Sequence, residues 1–512
     1  MKKQSLIKGS LILGLAGMIA KCLGIFFRWP LILLIGNEGV GYYQLSYPLY
    51  MFYVSMASGV PVAMSKMISE RNAVGDTEGS YEVVKESAYL MSVLGIGTTV
   101  VLLVFSKPII SLLKWDNKSY YALVSIALAP AIVSFVTVFR GFFQGQQNMT
   151  PSGISQILEQ IGRVVVGVGA AYLLLSKGIE YSAGGAALGA SAGGLMALIF
   201  LGCKYKKFKR ESGIRKVKTN TELLNEILKI SIPISIGATV GSIMSLIDSA
   251  LVPIKLLKTG MTSQAATDIF GQLTGKAAVL VNIPLTLSVA VCTSLIPIIA
   301  ENYILKNQKE VENKINIAMR LSCVIAFPSV LGLYFLASPI MKLIFLGQYE
   351  GADILKYLAI SIPFIIITQT TTSILQAVNH YIRPIINLFI GCIIKVILTW
   401  YLVPIKSINI YGAVIASITA YLCVTVLNII SLKTKLKCKI DVYSSFIKPI
   451  FSAIVMIAGV LASYLYLMDK TQNNSISCLL SIFMGIIIYM IAIVLFKVFE
   501  IDEIKGKLAR KQ

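Results

Sequence analysis

The chain has 512 residues, 56% of them hydrophobic and only 14% charged, with a mean hydropathy of +0.78. No water-soluble domain of this size keeps such a balance in solution, so the bilayer is the solvent, and a length that would suggest several soluble domains reads as one polytopic membrane domain. The formal charge of +22 lies largely in short connectors and tails, which points to topology and anionic lipid headgroups and away from nucleic acid.

Met1 to Gly9 carries three lysines ahead of an apolar run that continues to Ile35 without a small-residue cleavage pattern. It reads as a retained first helix and not as a signal peptide. Thirteen further apolar runs follow, giving about fourteen transmembrane helices in an all-α polytopic fold: 7–35, 42–69, 86–106, 119–143, 154–176, 182–203, 222–254, 266–300, 314–337, 352–378, 384–403, 409–431, 444–467 and 475–497. An even count puts both termini on one side. The basic N-terminus falls there, as do the connector with Lys204, Lys206, Lys207, Lys209, Arg210, Arg215, Lys216 and Lys218, the connector from Lys433 to Lys439, and the tail with Lys505, Lys507, Arg510 and Lys511. That side is therefore expected to be cytoplasmic, with the Lys- and Arg-poor loops 36–41 and 469–475 outside.

The chain repeats itself. Gly41 to Glu70 and Gly271 to Glu301 are each a long Pro-containing span ending in an acid, and Gln144 to Arg163, QGQQNMTPSGISQILEQIGR, lies over Gln376 to Lys395, QAVNHYIRPIINLFIGCIIK. GAALGAS from Gly185 matches GAVIAS from Gly412. Spans one to six thus recur as seven to twelve in the same orientation, so two six-helix lobes are expected about a pseudo-twofold axis along the membrane normal. Their boundaries fall at 1–203 for the N-lobe, 204–221 for a basic connector, 222–431 for the C-lobe and 432–512 for two additional helices and a tail. Prolines at 30, 61, 130, 233, 284, 297, 328 and 363 interrupt the spans and suit bundles that bend. The run Gly184 to Ser191 lets helices approach closely, which is packing and not chemistry.

Charges inside apolar runs carry the functional signal, because each costs on the order of 3 kcal/mol at mid-bilayer on insertion scales unless paired or hydrated. Lys21 and Arg28 stand seven apart on the first helix, Arg163 and Lys395 occupy matching places in the repeat, and Lys276 sits inside span eight. Glu159, four residues before Arg163, is placed for an intrahelical pair. Asp248, Lys255 and Asp268 fall near outer helix ends, and Arg140, Lys66, Glu70, Glu301 and Arg320 near cytoplasmic ones. The candidate substrate-binding set is Lys21, Arg28, Arg163, Lys276 and Lys395, a cationic lining suited to a pyrophosphate. The eight cysteines are scattered as small apolar filler without a C-x-x-C pair, and His380 stands alone, so no metal site and no cofactor is expected. There is no phosphate-binding G-x-x-x-x-G-K-[ST], no G-x-S-x-G and no H-E-x-x-H, so neither an enzyme nor direct use of ATP is expected.

The stretches AGMIAKCLGIFFRWPLILLIGNEGVGYYQ, RGFFQGQQNMTPSGISQILEQIGRVVVG and GIEYSAGGAALGASAGG resemble the polysaccharide-exporter branch of the multidrug/oligosaccharidyl-lipid/polysaccharide flippase superfamily. The likeness covers nearly the whole chain. It implies fourteen helices, two six-helix lobes and alternating access. Related lipid II flippases keep an arginine in a first-helix pattern like S-R-V-L-G. Here that place reads Ala20-Lys21-Cys22-Leu23-Gly24, which carries a substrate contact over to Lys21, without the bidentate fork of arginine, and extends it to Arg28. The resemblance further implies lipid II as cargo, for spore cortex peptidoglycan, in a bacterial cytoplasmic membrane. Expected partners are an undecaprenyl pyrophosphate-type substrate, anionic lipids and cell-wall synthesis proteins, with no nucleic acid. Its rivals are an undecaprenyl-linked polysaccharide exporter, a cation-coupled multidrug antiporter, which would need deep carboxylates, and a non-transporting membrane enzyme or scaffold.

Overall fold

The structure, a computed structural model, describes residues 6–211, 221–346, 349–436, 438 and 440–499; within these, side chains are described except at 6–11, 21, 22, 25, 221, 240 and 289–297. Every regular element among the described residues is helical. The helices are α1 (Leu6–Ala57), α2 (Gly59–Ala73), α3 (Thr77–Val104), α4 (Ser106–Leu112), α5 (Tyr120–Ala127), α6 (Ala129–Gly145), α7 (Thr150–Leu174), α8 (Ile179–Glu211), α9 (Thr221–Leu257) and α10 (Ser263–Gly271). There follow α11 (Ala278–Ile304), α12 (Gln308–Phe335), α13 (Ala337–Ile344), α14 (Ala352–Ala359), α15 (Ile362–Ala377), α16 (Ile382–Leu402), α17 (Tyr411–Leu436), α18 (Lys448–Thr471) and α19 (Asn474–Leu495).

Among the described residues nine helices are long and apolar enough to cross a membrane, or up to eleven when each of two bent pairs counts as one span. The chain is a multi-pass membrane protein. The expected fourteen are not reached in that count. The expected spans 7–35 and 42–69 fall on α1 and α2, where α1 runs through Gly36 at φ 62°, a left-handed kink that glycine adopts without a Cβ clash. The expected span 266–300 falls on α10 and α11, part of whose side chains lie outside the description.

Local chemistry sets the breaks. Asp76 accepts from the Gly79 amide at 2.8 Å to start α3, Asn307 caps α12 through Glu310 N, and Asn473 accepts from both Ser475 N and Ile476 N to start α19. Pro130 and Pro363 stand in the first turn of helices that follow a break, and α14 and α15 meet at 44°. Pro30 and Pro48, by contrast, are carried inside α1, and Pro328 inside α12. The outward faces stay apolar: Phe483, Ile486, Ile487, Met490 and Ile491 of α19 are all exposed, which only lipid makes tolerable.

Contacts divide the chain into two compact units, 1–271 and 272–512. Helix α9, which the repeat assigns to the second lobe, packs within the first unit against α1 and α2. The core of the first unit joins Tyr53, Met64, Ile68, Tyr81, Phe142 and Leu201, with Tyr205 and Phe208 of α8 stacked on the Phe142 ring. Near the kink, the half-buried Glu38 accepts from Tyr42 Oη at 2.6 Å and Gln264 Nε2 at 2.7 Å and lies 3.6 Å from Lys118 Nζ. The second unit centres on Val311, Ile315, Met319, Ile374, Leu375 and Leu432 from α12, α15 and α17, and Tyr489 of α19 donates to Val324 O at 2.8 Å.

The small-residue run of α8 does what its composition predicts. A Cβ on Gly193 would lie 2.2 Å from Glu159 O, and one on Gly189 2.7 Å from Arg163 O, so the α8 backbone sits directly against α7. On Gly169 of α7 a Cβ would meet nothing within 4 Å. Gly193→Ala should therefore destabilise the purified protein even though alanine is the better helix former by about 1 kcal/mol. Gly169→Ala should leave the unfolding temperature unchanged or raise it. Equal effects of the two would contradict this packing.

Burial alone would raise the Glu38 carboxyl, but the hydrogen bonds from Tyr42 and Gln264 and the charge of Lys118 outweigh it and hold the group below its usual range. A depressed folded value gives stability that is present above the unfolded value, about 4.3, and lost as pH falls through the folded one. The unfolding temperature of Glu38→Gln should accordingly lie below that of the unsubstituted protein at neutral pH, with the gap closing as the pH falls below the usual carboxylate range.

Candidate functional site

Helix α7 begins at Thr150 with Pro151 in its first turn, and its Gln156, Glu159, Gln160 and Arg163, spaced by three and four, share one face. Two of them face α1: the place of a Cβ on Gly17 lies 3.8 Å from Gln156 Oε1, and that on Gly24 4.0 Å from Gln160 Oε1. The expected pair forms, with Arg163 Nη2 3.4 Å from Glu159 Oε1. The same carboxylate also accepts from Arg140 Nη2 of α6 at 2.9 Å, while Arg140 Nε donates to Ser155 Oγ at 2.8 Å. All three charged side chains are at least 85% buried, the most exposed being Arg140 at 15%. Arg140, near the end of α6, is thus part of the buried site, a link to Glu159 that the sequence reading did not make.

Helix α1 supplies the opposite wall. Tyr43, Tyr47 and Tyr50 form a ladder with ring centroids 5.4 and 6.0 Å apart, and the Arg28 guanidinium lies 5.9 Å from the Tyr47 centroid. All three tyrosines interact electrostatically with Arg163. Arg140 and Arg163 therefore share one carboxylate, and Arg28 and Arg163 lie beside the phenols of the ladder. Among the described residues, Arg163 Nε and Gln160 Oε1 are buried without a hydrogen-bond partner. Such a group offers forked N–H donors and a cation-stabilising aromatic wall, the chemistry that recognises a phosphate or pyrophosphate. Lys21 lies on α1 about two turns before Arg28, and its side chain lies outside the described residues.

The other two candidates belong to the second unit. Lys395, 2% exposed, shares a buried face of α16 with Asn387, Cys392 and Thr399. In the repeat Gly391 takes the place of Glu159, so Lys395 has no acid four residues before it. One turn or two from it runs a neutral network: Asn387 Nδ2 donates to Asn428 Oδ1 at 2.8 Å, and Asn428 Nδ2 to Thr371 Oγ1 at 3.0 Å and Thr372 Oγ1 at 3.1 Å. Lys276 is 1% exposed, and its Nζ lies 3.3 Å from Glu350 Oε2. The sequence reading did not single out Glu350, since 74 residues separate the pair and no spacing rule connects them.

With this geometry in place, comparison with known proteins is informative. A family model described as polysaccharide biosynthesis protein matches residues 6–303, more than half of the chain. The chain is similar to stage V sporulation protein B of Bacillus subtilis (strain 168), 29% identical over 99% of this chain and 98% of that protein. It is 27% identical to lipid II flippase MurJ of the same organism over 95% of this chain and 94% of that one. Among solved structures, lipid II flippase MurJ in an inward closed conformation superposes with a TM-score of 0.74, at 18% identity, over 95% of this chain and 99% of that chain, which shows a shared fold.

Removing one member of a buried ion pair leaves a charge without its counter-ion, at a cost of about 3–5 kcal/mol. Glu159→Gln is therefore expected to lower the unfolding temperature sharply in detergent. Adding Arg140→Gln should restore part of it, because one of the two stranded guanidinium groups is then gone. Additive losses in the double variant would show that the carboxylate does not join the two arginines.

Proposed function

The chain belongs to the polysaccharide biosynthesis protein family, and from that premise we propose that it is a flippase, moving a lipid-linked anionic cell-wall precursor across the bacterial cytoplasmic membrane. The observation that carries the proposal is the buried cluster of Arg140 and Arg163 around Glu159, on two helices long and apolar enough to cross a membrane, with Arg28 beside the Tyr47 ring. Charge held at this depth is costly, and a site rich in guanidinium groups returns that cost when a pyrophosphate enters. A cation antiporter would need the opposite sign. In this reading Lys21, Arg28 and Arg163 of the first unit are headgroup contacts, and Lys276 and Lys395 are proposed as anion contacts of the second. The lipid tail stays in the bilayer, and transport proceeds by alternating access, with lobes proposed at 1–203 and 222–431. Lipid II is the proposed cargo, with spore cortex peptidoglycan as its destination, supported by the likeness to stage V sporulation protein B and lipid II flippase MurJ. An undecaprenyl-linked polysaccharide presents the same pyrophosphate, and the headgroup sugars decide between them.

Both termini are proposed to be cytoplasmic. The last turns of α8 carry exposed Lys204, Lys206, Lys207 and Arg210, and α17 ends with exposed Lys433 and Lys435. Single cysteines at 206 and 435 should react with a membrane-impermeant maleimide only after the cells are opened. Labelling of either position in intact cells would reverse the orientation.

The site itself is tested by photo-crosslinking with a diazirine-bearing undecaprenyl pyrophosphate in nanodiscs. Crosslinking should be competed by undecaprenyl pyrophosphate and not by undecaprenol, and should fall about tenfold or more in Arg163→Gln, a loss equivalent to one charge-assisted hydrogen bond. Equal competition by the neutral alcohol would defeat the anionic-headgroup reading.

A further inference from the structure

Residues Gln272–Ala277 wind as a π-helix between α10 and α11, a rare irregular turn that occurs frequently at functional sites. It carries Lys276 into the protein, where Nζ meets Glu350 Oε2 at 3.3 Å and lies 5.5 Å from the Phe345 ring centroid. The partner segment is seated on the same turn, since the place of a Cβ on Gly351 lies 3.1 Å from Gln272 Cβ. The two members of the pair differ sharply in environment. The lysine side chain is 1% exposed and the glutamate side chain 55%.

We infer that Glu350 is an exchangeable counter-ion for Lys276, holding the place of the anionic headgroup and giving way to it when it binds. The asymmetry of exposure is what makes exchange feasible. Glu350 can turn into water and keep its hydration, whereas Lys276 stays enclosed and keeps its charge in place for an arriving anion. A lysine is a point charge that binds through single N–H donors, so replacing a carboxylate oxygen by a phosphate oxygen requires no fork to be rebuilt. The Phe345 face stabilises the ammonium before and after the exchange. Glu350 thereby acts as a specificity-determining residue. It lets through an anion strong enough to displace a carboxylate and speeds the release of that anion by returning to Lys276. This inference rests on the flippase reading for the identity of the anion and on the local geometry for the exchange.

The test titrates two probes, farnesyl pyrophosphate and inorganic pyrophosphate, into the purified full-length protein in nanodiscs and reads binding by microscale thermophoresis. Removing the resident carboxylate with Glu350→Gln should tighten both probes about fivefold, the scale of one partly exposed ion pair. In a Lys276→Gln background the same change should have no effect, and Glu350→Asp, which keeps the charge on a shorter stem, should stay closer to the unsubstituted protein than Glu350→Gln. A folded Glu350→Gln protein with unchanged or weaker binding overturns the inference, as does tightening that persists without Lys276. If inorganic pyrophosphate behaves as expected but farnesyl pyrophosphate does not bind, the counter-ion role stands and the lipid reading fails. If both bind but ignore position 350, the lipid reading stands and the counter-ion role fails.

Discussion

A charge inside a membrane protein must be paid for by a partner, by water or by a ligand, and the arrangement of the buried cations in this chain follows from that constraint. Arg140 and Arg163 share one carboxylate, so neither guanidinium is stranded, yet positive charge remains in excess within the group they form with Glu159. Lys276 leans on a carboxylate that itself stays half in water. In the first case two cations share one carboxylate, and in the second the carboxylate stays in reach of water. That compromise is poor for stability alone and well matched to binding an anion that arrives and departs.

The scaffold serves the same end. Helix α7 brings Glu159 and Arg163 to one face, and the glycines of α8 lie against the carbonyls of those same two residues. Close helix contact fixes the backbone exactly where the charged side chains depart from it, and so holds their geometry without spending a polar group on the task. Across from it, the Tyr43–Tyr47–Tyr50 ladder gives the cations an aromatic wall where water would otherwise have to enter.

Hydropathy made the helical, multi-pass architecture legible, because apolar runs of bilayer length have few other uses. The four-residue step from Glu159 to Arg163 made their pair legible for the same local reason. Long-range partners left no such trace. Arg140 reaches Glu159 from another helix, 19 residues away, and Glu350 reaches Lys276 from a connector, so no periodicity links either pair. The π-helical turn that carries Lys276 has no composition signature, and α9 joins α1 and α2 although the repeat groups it with later spans, because covalent repeats record descent and packing records contact. Gly36 was read as part of a loop. Its neighbours nevertheless keep helical geometry on both sides, since one left-handed residue is enough to turn the chain.

The most direct test of the whole account is leaflet transfer. Proteoliposomes loaded on one face with fluorescent lipid II are quenched by a membrane-impermeant reagent, and the fraction that becomes accessible is followed in time. The account predicts rapid transfer with the unsubstituted protein, transfer at the protein-free rate with Arg163→Gln, and no transfer of a neutral undecaprenyl lipid. Transfer of the neutral lipid at the same rate, or full activity of the Arg163→Gln protein, would contradict a flippase built around a buried cationic site.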